Sequence, residues 1–194
     1  VPAPASNPLA SFAPIGANPA PGGPMPNGSY MADIQKRGRL IAGVSADTLL
    51  LGARNPLNGR IEGFDIEMLN AVSKAIFNDP NRIEFRVITT AQRLPVLEKG
   101  VDQGGVDIVA RAMTMNCARW AVIDFSTEYY LAGQKVLVAK GSTANGQPVT
   151  RMEDLTGKKG GAPFGPTSRD KLNTSAGRIP GGPAPPTARP RPVP

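Results

Sequence analysis

The sequence predicts an α/β fold with a largely parallel sheet, carried by residues 31–172 between two proline-rich tails. Three observations point there. Of the 21 prolines, eight fall in residues 1–30 and seven in residues 173–194, and neither segment clusters apolar residues. Such segments bury too little apolar surface to offset the entropy of ordering, so disordered tails are expected, the charge-free first one reading as a spacer. Within the body, short apolar runs alternate with stretches of helical period, the pattern of βα units whose strands lie parallel. Glycine, asparagine and proline mark most of the changes from one to the other.

Taken in order, Asp33–Arg37 reads as a short helix closed by Gly38, and Arg39–Val44 as a buried strand. Residues 45–62 read as a loop or loose hairpin, with Asn55-Pro56 and Asn58-Gly59 as turn signals. Phe64–Phe77 has helical period, with Phe64, Met68, Ala71, Val72, Ala75 and Ile76 near one face. Asp65 and Glu67 lie in its first turn, where the positive end of the helix dipole favours them, and Asn78-Asp79-Pro80 stops it. Ile83–Val87 alternates as a strand does. Thr89 or Thr90 can cap a helix through Glu98 that Gly100 ends. Val106–Ala110 is another strand, and residues 111–119 form a loop turning into a short helix. Gln134–Lys140 reads as a strand, and Asp154–Lys159 leads towards one more near Gly160–Pro163. In open α/β sheets ligands sit beyond the carboxyl ends of the strands, which selects residues 45–53 and 111–119.

Composition removes several functions. The formal charge is +7, but three of the 22 basic residues stand in the last tail and the rest are scattered, with aromatics at only 5%. Nucleic acid is therefore not an expected partner, because binding it calls for clustered cations interleaved with stacking rings. A modest positive excess fits acidic ligands or an anionic membrane surface. One cysteine, Cys117, and no histidine leave no intramolecular disulfide, no histidine triad and none of the common zinc sites. No carboxylate pair stands out for acid–base work. The expectation is no enzyme, no cofactor and no metal, and no apolar run is long enough to span a bilayer.

Several phrases, in this order, resemble the amino-acid class of bacterial solute-binding proteins, family 3, the receptors that feed ABC importers. They are Gly38-Arg39-Leu40-Ile41-Ala42-Gly43-Val44, Gly63-Phe64-Asp65-Ile66-Glu67, Val106-Asp107-Ile108-Val109, Thr114-Met115-Asn116-Cys117-Ala118-Arg119 and Asp124-Phe125-Ser126-Thr127-Glu128-Tyr129-Tyr130. Asp154-Leu155-Thr156-Gly157-Lys158-Lys159 and Gly165-Pro166-Thr167-Ser168 follow. The nearest subgroup is that of the actinobacterial glutamine/glutamate-binding lipoproteins. The resemblance implies a type II periplasmic-binding-protein-like fold, with lobe I over residues 31–136 near complete and a partial lobe II over residues 137–172. It also implies an extracytoplasmic location in the periplasm or cell envelope, an amino-acid ligand of the glutamine/glutamate kind, and an ABC permease in the membrane as partner.

The same resemblance assigns residues. Thr114 and Arg119 would grip the ligand α-carboxylate, for which a guanidinium presents a planar fork able to make charge-assisted bidentate bonds. The Ala112 carbonyl would accept from the ligand ammonium, with an acidic partner expected near Ser45, where Asp47 is close in sequence. Thr167 and Ser168 would add donors at a helix start. Leu51 and Ala53 take places where the family sets aromatics against the ligand, so stacking contact is lost. Phe64 is expected in the core, Asp65 as a helix-start charge, and Phe125 as packing below the site. In the resembled subgroup Cys117 would pair with a leader cysteine, and none stands in residues 1–30.

Departures accompany the match. Val101–Gly105 looks longer than the family's turn, and past Leu172 the resemblance gives way to the Pro/Arg-rich tail. The chain thus reads as truncated relative to the family, with weak or absent ligand binding expected because these receptors gain affinity by closing two lobes. Two alternatives to an import receptor follow: a truncated, binding-deficient product, or a ligand-sensing interaction module.

Overall fold

The computed structural model describes residues 20–133 and 135–158. The chain divides into two units, the division falling between Tyr129 and Tyr130. In chain order the elements are α1 (Tyr30–Arg37), β1 (Leu40–Val44), β2 (Asp47–Thr48), β3 (Gly52–Arg54), β4 (Ile61–Glu62), α2 (Phe64–Phe77), β5 (Ile83–Val87), α3 (Pro95–Glu98), β6 (Ile108–Ala110), α4 (Cys117–Trp120), β7 (Thr143–Ala144) and β8 (Gln147–Pro148). The expectations for residues 1–19, for the strand near Gly160–Pro163 and for the tail after residue 172 lie outside the described residues.

In the first unit β1 is the middle strand of a parallel sheet ordered β5-β1-β6. Leu40 lies opposite Ile83 and Ala42 opposite both Phe85 and Ile108. Every residue of β1 is buried, because both faces are covered, the usual condition of a parallel sheet. Its alternate side chains feed different layers. Ala42 and Val44 pack with Ile66, Leu69 and Ala110, and Leu40 with Ile34 and Ile76. Ile41, on the opposite face, packs with Ile88, Val96 and Val106. Gly43 shares that face, and a Cβ there would stand 2.9 Å from Ile88 Cδ1 and 3.1 Å from Val109 Cγ2, so a larger residue would make those side chains give way.

The helices follow their sequence signals, with informative shifts. α1 begins three residues before the expected Asp33, since Ser29 caps it by accepting from the Ala32 N–H at 3.2 Å. Gly38 closes it in the left-handed region, φ 79°. α2 spans the expected residues, but its buried face is Asp65, Ile66, Leu69, Ser73 and Ile76, while Ala71 and Ala75 are exposed. Phe64, expected in the core, is 41% exposed. Apolar residues surround much of this helix, so period alone could not select the side that meets β1. The helix expected through Glu98 is broken: Thr89 caps a 3-10 turn over Thr90–Gln92, and a new helix starts at Pro95. Proline lacks the N–H needed to continue a helix but suits its first turn.

Residues 45–62 resolve into a three-stranded antiparallel meander, β2-β3-β4. It is tied to α2 by Phe64 N–H donating to Leu50 O at 2.8 Å and Asp65 N–H to Leu51 O at 2.9 Å. At Gly63 (φ 136°) a Cβ would lie 2.5 Å from Leu51 C and O, so only glycine permits that approach.

In the second unit residues 135–140 form no strand, contrary to expectation for Gln134–Lys140. A strand needs a ladder partner, and among the described residues this segment has none; Leu137 is 98% exposed. The unit instead holds the β7-β8 hairpin, turned by Asn145 (φ 53°) and Gly146 (φ 78°). An Asn-Gly pair suits a two-residue hairpin turn in which both residues take positive φ.

Candidate functional site

The carboxyl ends of β1 and β6 bring the candidate residues of the first unit together. Beyond β1, Ser45 is 1% exposed and its hydroxyl bonds to Asp47 Oδ1 at 2.6 Å and to Thr48 Oγ1 at 2.7 Å. That hydroxyl holds the Asp47 carboxyl below its ordinary range; burial opposes it next, and the nearby charge of Arg111 adds to the lowering.

Beyond β6, Arg111 turns back across the sheet end. Its Nε donates to Ile88 O at 2.7 Å, Nη1 to Thr90 Oγ1 at 2.6 Å and Nη2 to Asp47 Oδ1 at 3.3 Å. Ala112 follows at φ 41°. Its N–H donates to Asp65 Oδ2 at 3.1 Å, and Asp65 Oδ1 accepts from the Tyr129 hydroxyl at 2.9 Å. Burial, and then the Asp65 charge and bond, raise the Tyr129 phenol above its ordinary value. Asp65 is therefore more than a helix-start charge: at 2% exposure it links α2 to the turn after β6 and to the segment before residue 130.

Two further guanidinium groups adjoin this turn. Arg93 is 7% exposed; its Nε donates to Thr90 O at 3.0 Å and its Nη1 to Arg111 O at 3.3 Å and Ala112 O at 3.0 Å. Burial first, then the charges of Arg119 and Arg111, push it down to about 10. Arg119 sits on α4, whose cap Asn116 accepts from the Arg119 N–H through Oδ1 at 2.9 Å. Its side chain is carried inward to 4% exposure, Nη1 donates to Thr114 O at 2.5 Å, and Nε is buried without a hydrogen-bond partner among the described residues. Burial lowers its pKa. A buried donor left unpaired costs about 1–3 kcal/mol, more when charged, so this guanidinium is set to receive an acceptor.

The sequence-selected residues fall into two groups. Arg119 and Thr114 are brought together, although through the Thr114 carbonyl rather than its hydroxyl. Asp47 and Ala112 are joined to the neighbouring Arg111–Arg93 group. The Ala112 carbonyl, assigned to a ligand ammonium, already accepts from Arg93. Leu51 is half-buried and uses its carbonyl to hold α2. Thr167 and Ser168 lie outside the described residues. Phe125 packs on buried Trp120 with ring centroids 5.2 Å apart, and exposed Phe64 on Tyr129 at 6.0 Å. The sequence did not single out Arg93, Arg111 or Tyr129, although Arg111 stands in the selected segment 111–119 and Tyr129 in a family-like phrase. Arg111 carried a signal, since it follows a strand end directly; Arg93, on a short turn with no periodicity, carried none.

Among the described residues no helix is long and apolar enough to cross a membrane, and no group of three or more His, Cys, Asp or Glu could hold a metal ion.

Residues 40–175 match the family described as bacterial extracellular solute-binding proteins, family 3. A glutamine-binding protein of Geobacillus stearothermophilus is 41% identical over 58% of this chain and 41% of its own length. The ABC transporter glutamine-binding protein GlnH of Bacillus subtilis is 35% identical over 75% of this chain and 50% of its own. The chain thus spans about half the length, or less, of these curated relatives. Among solved structures, an ancestral arginine-binding protein bound to glutamine is similar at 31% identity and a TM-score of 0.64, over 75% of this chain and 60% of that one. The ancestral amino acid-binding protein AncCDT-1, a precursor of cyclohexadienyl dehydratase, is similar at 30% identity and a TM-score of 0.64, over 76% and 60%.

Proposed function

The chain belongs to the bacterial extracellular solute-binding proteins, family 3, and from that premise we propose that it binds a polar amino acid of the glutamine/glutamate kind as the receptor of an ABC importer. The fold is that of type II periplasmic binding proteins, of which the chain covers part. The family is one of solute-binding receptors rather than enzymes. In this reading the protein works outside the cytoplasm and delivers its ligand to a membrane permease.

One observation carries the reading: Arg119 is a buried guanidinium whose Nε lacks a partner and which has no carboxylate against it among the described residues. A carboxylate placed there accepts from a fork already desolvated and held by α4, so little ordering remains to be done on binding. Thr114 contributes from the same turn, its carbonyl orienting the guanidinium. The names of the glutamine-binding relatives support an amino-acid ligand.

Isothermal titration of the 194-residue chain with L-glutamine and L-glutamate tests this. Weak but saturable binding is expected of a chain that spans only part of the two-lobe fold, weakened further by about 30-fold or more in Arg119→Ala, the size of effect that follows truncation of a buried charge partner. Binding of equal strength in Arg119→Ala would show that the anchor lies elsewhere.

A further inference from the structure

Three guanidinium groups gather at one end of the parallel sheet: Arg111 directly after β6, Arg93 on the Arg111 and Ala112 carbonyls, and Arg119, whose charge Arg93 feels. Among the described contacts two acids face this group. Asp65 is committed to the Ala112 N–H and the Tyr129 hydroxyl. Asp47 reaches Arg111 at 3.3 Å with its own side chain 80% exposed. Three cations against two acids leave a positive excess in a place where salt screens charge poorly.

Arg111 also keeps capacity. A guanidinium has five N–H donors, and the described bonds of Arg111 run to Ile88 O, Thr90 Oγ1 and Asp47. Its side chain is only 11% exposed, so the two remaining donors are held in a fixed direction by the strand end. At the Ala112 carbonyl, where an ammonium would otherwise be welcome, Arg93 already donates, and a cationic side chain approaching there meets like charge.

We propose that Arg111 determines specificity by receiving a second carboxylate, so that the ligand is an acidic amino acid and basic amino acids are excluded. This rests on the reading of Arg119 as the α-carboxylate anchor. Asp47, whose described side-chain bonds all fall on Oδ1 and whose side chain is 80% exposed, is then available to an ammonium through Oδ2.

Titration of the 194-residue chain with L-glutamate, L-aspartate, L-glutamine and L-arginine tests it, alongside Arg111→Gln and Arg111→Lys, each checked for an unchanged far-ultraviolet spectrum and melting temperature. One of the two acids is expected to bind about tenfold or more tightly than glutamine, with no arginine binding. Arg111→Gln should reduce affinity for that acid about tenfold more than affinity for glutamine, while Arg111→Lys keeps the preference. Glutamine binding as tightly as either acid, still dependent on Arg119, overturns the specificity role and leaves the anchor standing. Equal losses for glutamate and glutamine in a folded Arg111→Gln also overturn it, reducing Arg111 to a brace for the Ile88–Thr90 segment. Absence of binding by all four ligands removes the anchor reading and this inference together.

Discussion

Leu50 holds a backbone conformation that glycine adopts with less strain: φ is 67° and the side chain is 78% exposed. A left-handed conformation costs an L-residue about 1–2 kcal/mol, and glycine returns about 0.5–1 kcal/mol of that as unfolded-state entropy. Leu50→Gly is therefore expected to stabilise the chain by about 0.5–1 kcal/mol, read as a higher urea midpoint at unchanged slope. Ala112 (φ 41°) is a comparable case at the site itself. Neither strain is visible in the sequence, because φ at these positions is imposed by partners distant in the chain. The Leu50 carbonyl must meet the Phe64 N–H, and Ala112 must present its N–H to Asp65. Arg119 differs: the Thr-x4-Arg phrase marked it, and the structure adds its burial and its unpaired Nε.

At the scale of elements, α2 separates what period can say from what it cannot. The helix was readable to its ends, but the face was not. Leu69, 1% exposed against Ala42 and Val44, anchors it to β1. Leu69→Ala should cost about 2–5 kcal/mol, the range for a buried leucine truncated to leave a cavity. Ala75→Ser, on the exposed side, should stay within about 0.5 kcal/mol. Chemical denaturation of the two variants checks the assignment, and comparable losses would contradict it. The broken helix around Pro95 and the absent strand at residues 135–140 follow the same division. Local chemistry at Pro95 could be anticipated, whereas a strand exists only where a neighbour completes its ladder.

For the molecule as a whole, the network from Asp65 to Tyr129 sets an alkaline response. Burial and the Asp65 charge raise the Tyr129 phenol above its ordinary 10.0, so above that pH the unfolded chain releases a proton that the folded chain keeps. Stability from this group is complete below about pH 10 and is lost as pH climbs towards the raised folded value. Urea midpoints followed from about pH 8 to about pH 11 should fall less steeply in Tyr129→Phe than in the unmodified chain. A steeper fall in that variant would place the alkaline response elsewhere.

The sequence by itself determined the α/β class, the boundaries of α2, the position of β1 and the phrase containing Arg119. Each depends on local period, on turn and cap chemistry, or on residues adjacent in the chain. Tertiary structure alone decided which face of α2 is buried, that Asp65 ties the turn after β6 to Tyr129, and that Arg93, Arg111 and Arg119 are brought within electrostatic reach of one another. Those outcomes depend on parallel strands returning to one edge of the sheet, where residues far apart in sequence meet beyond the same carboxyl ends.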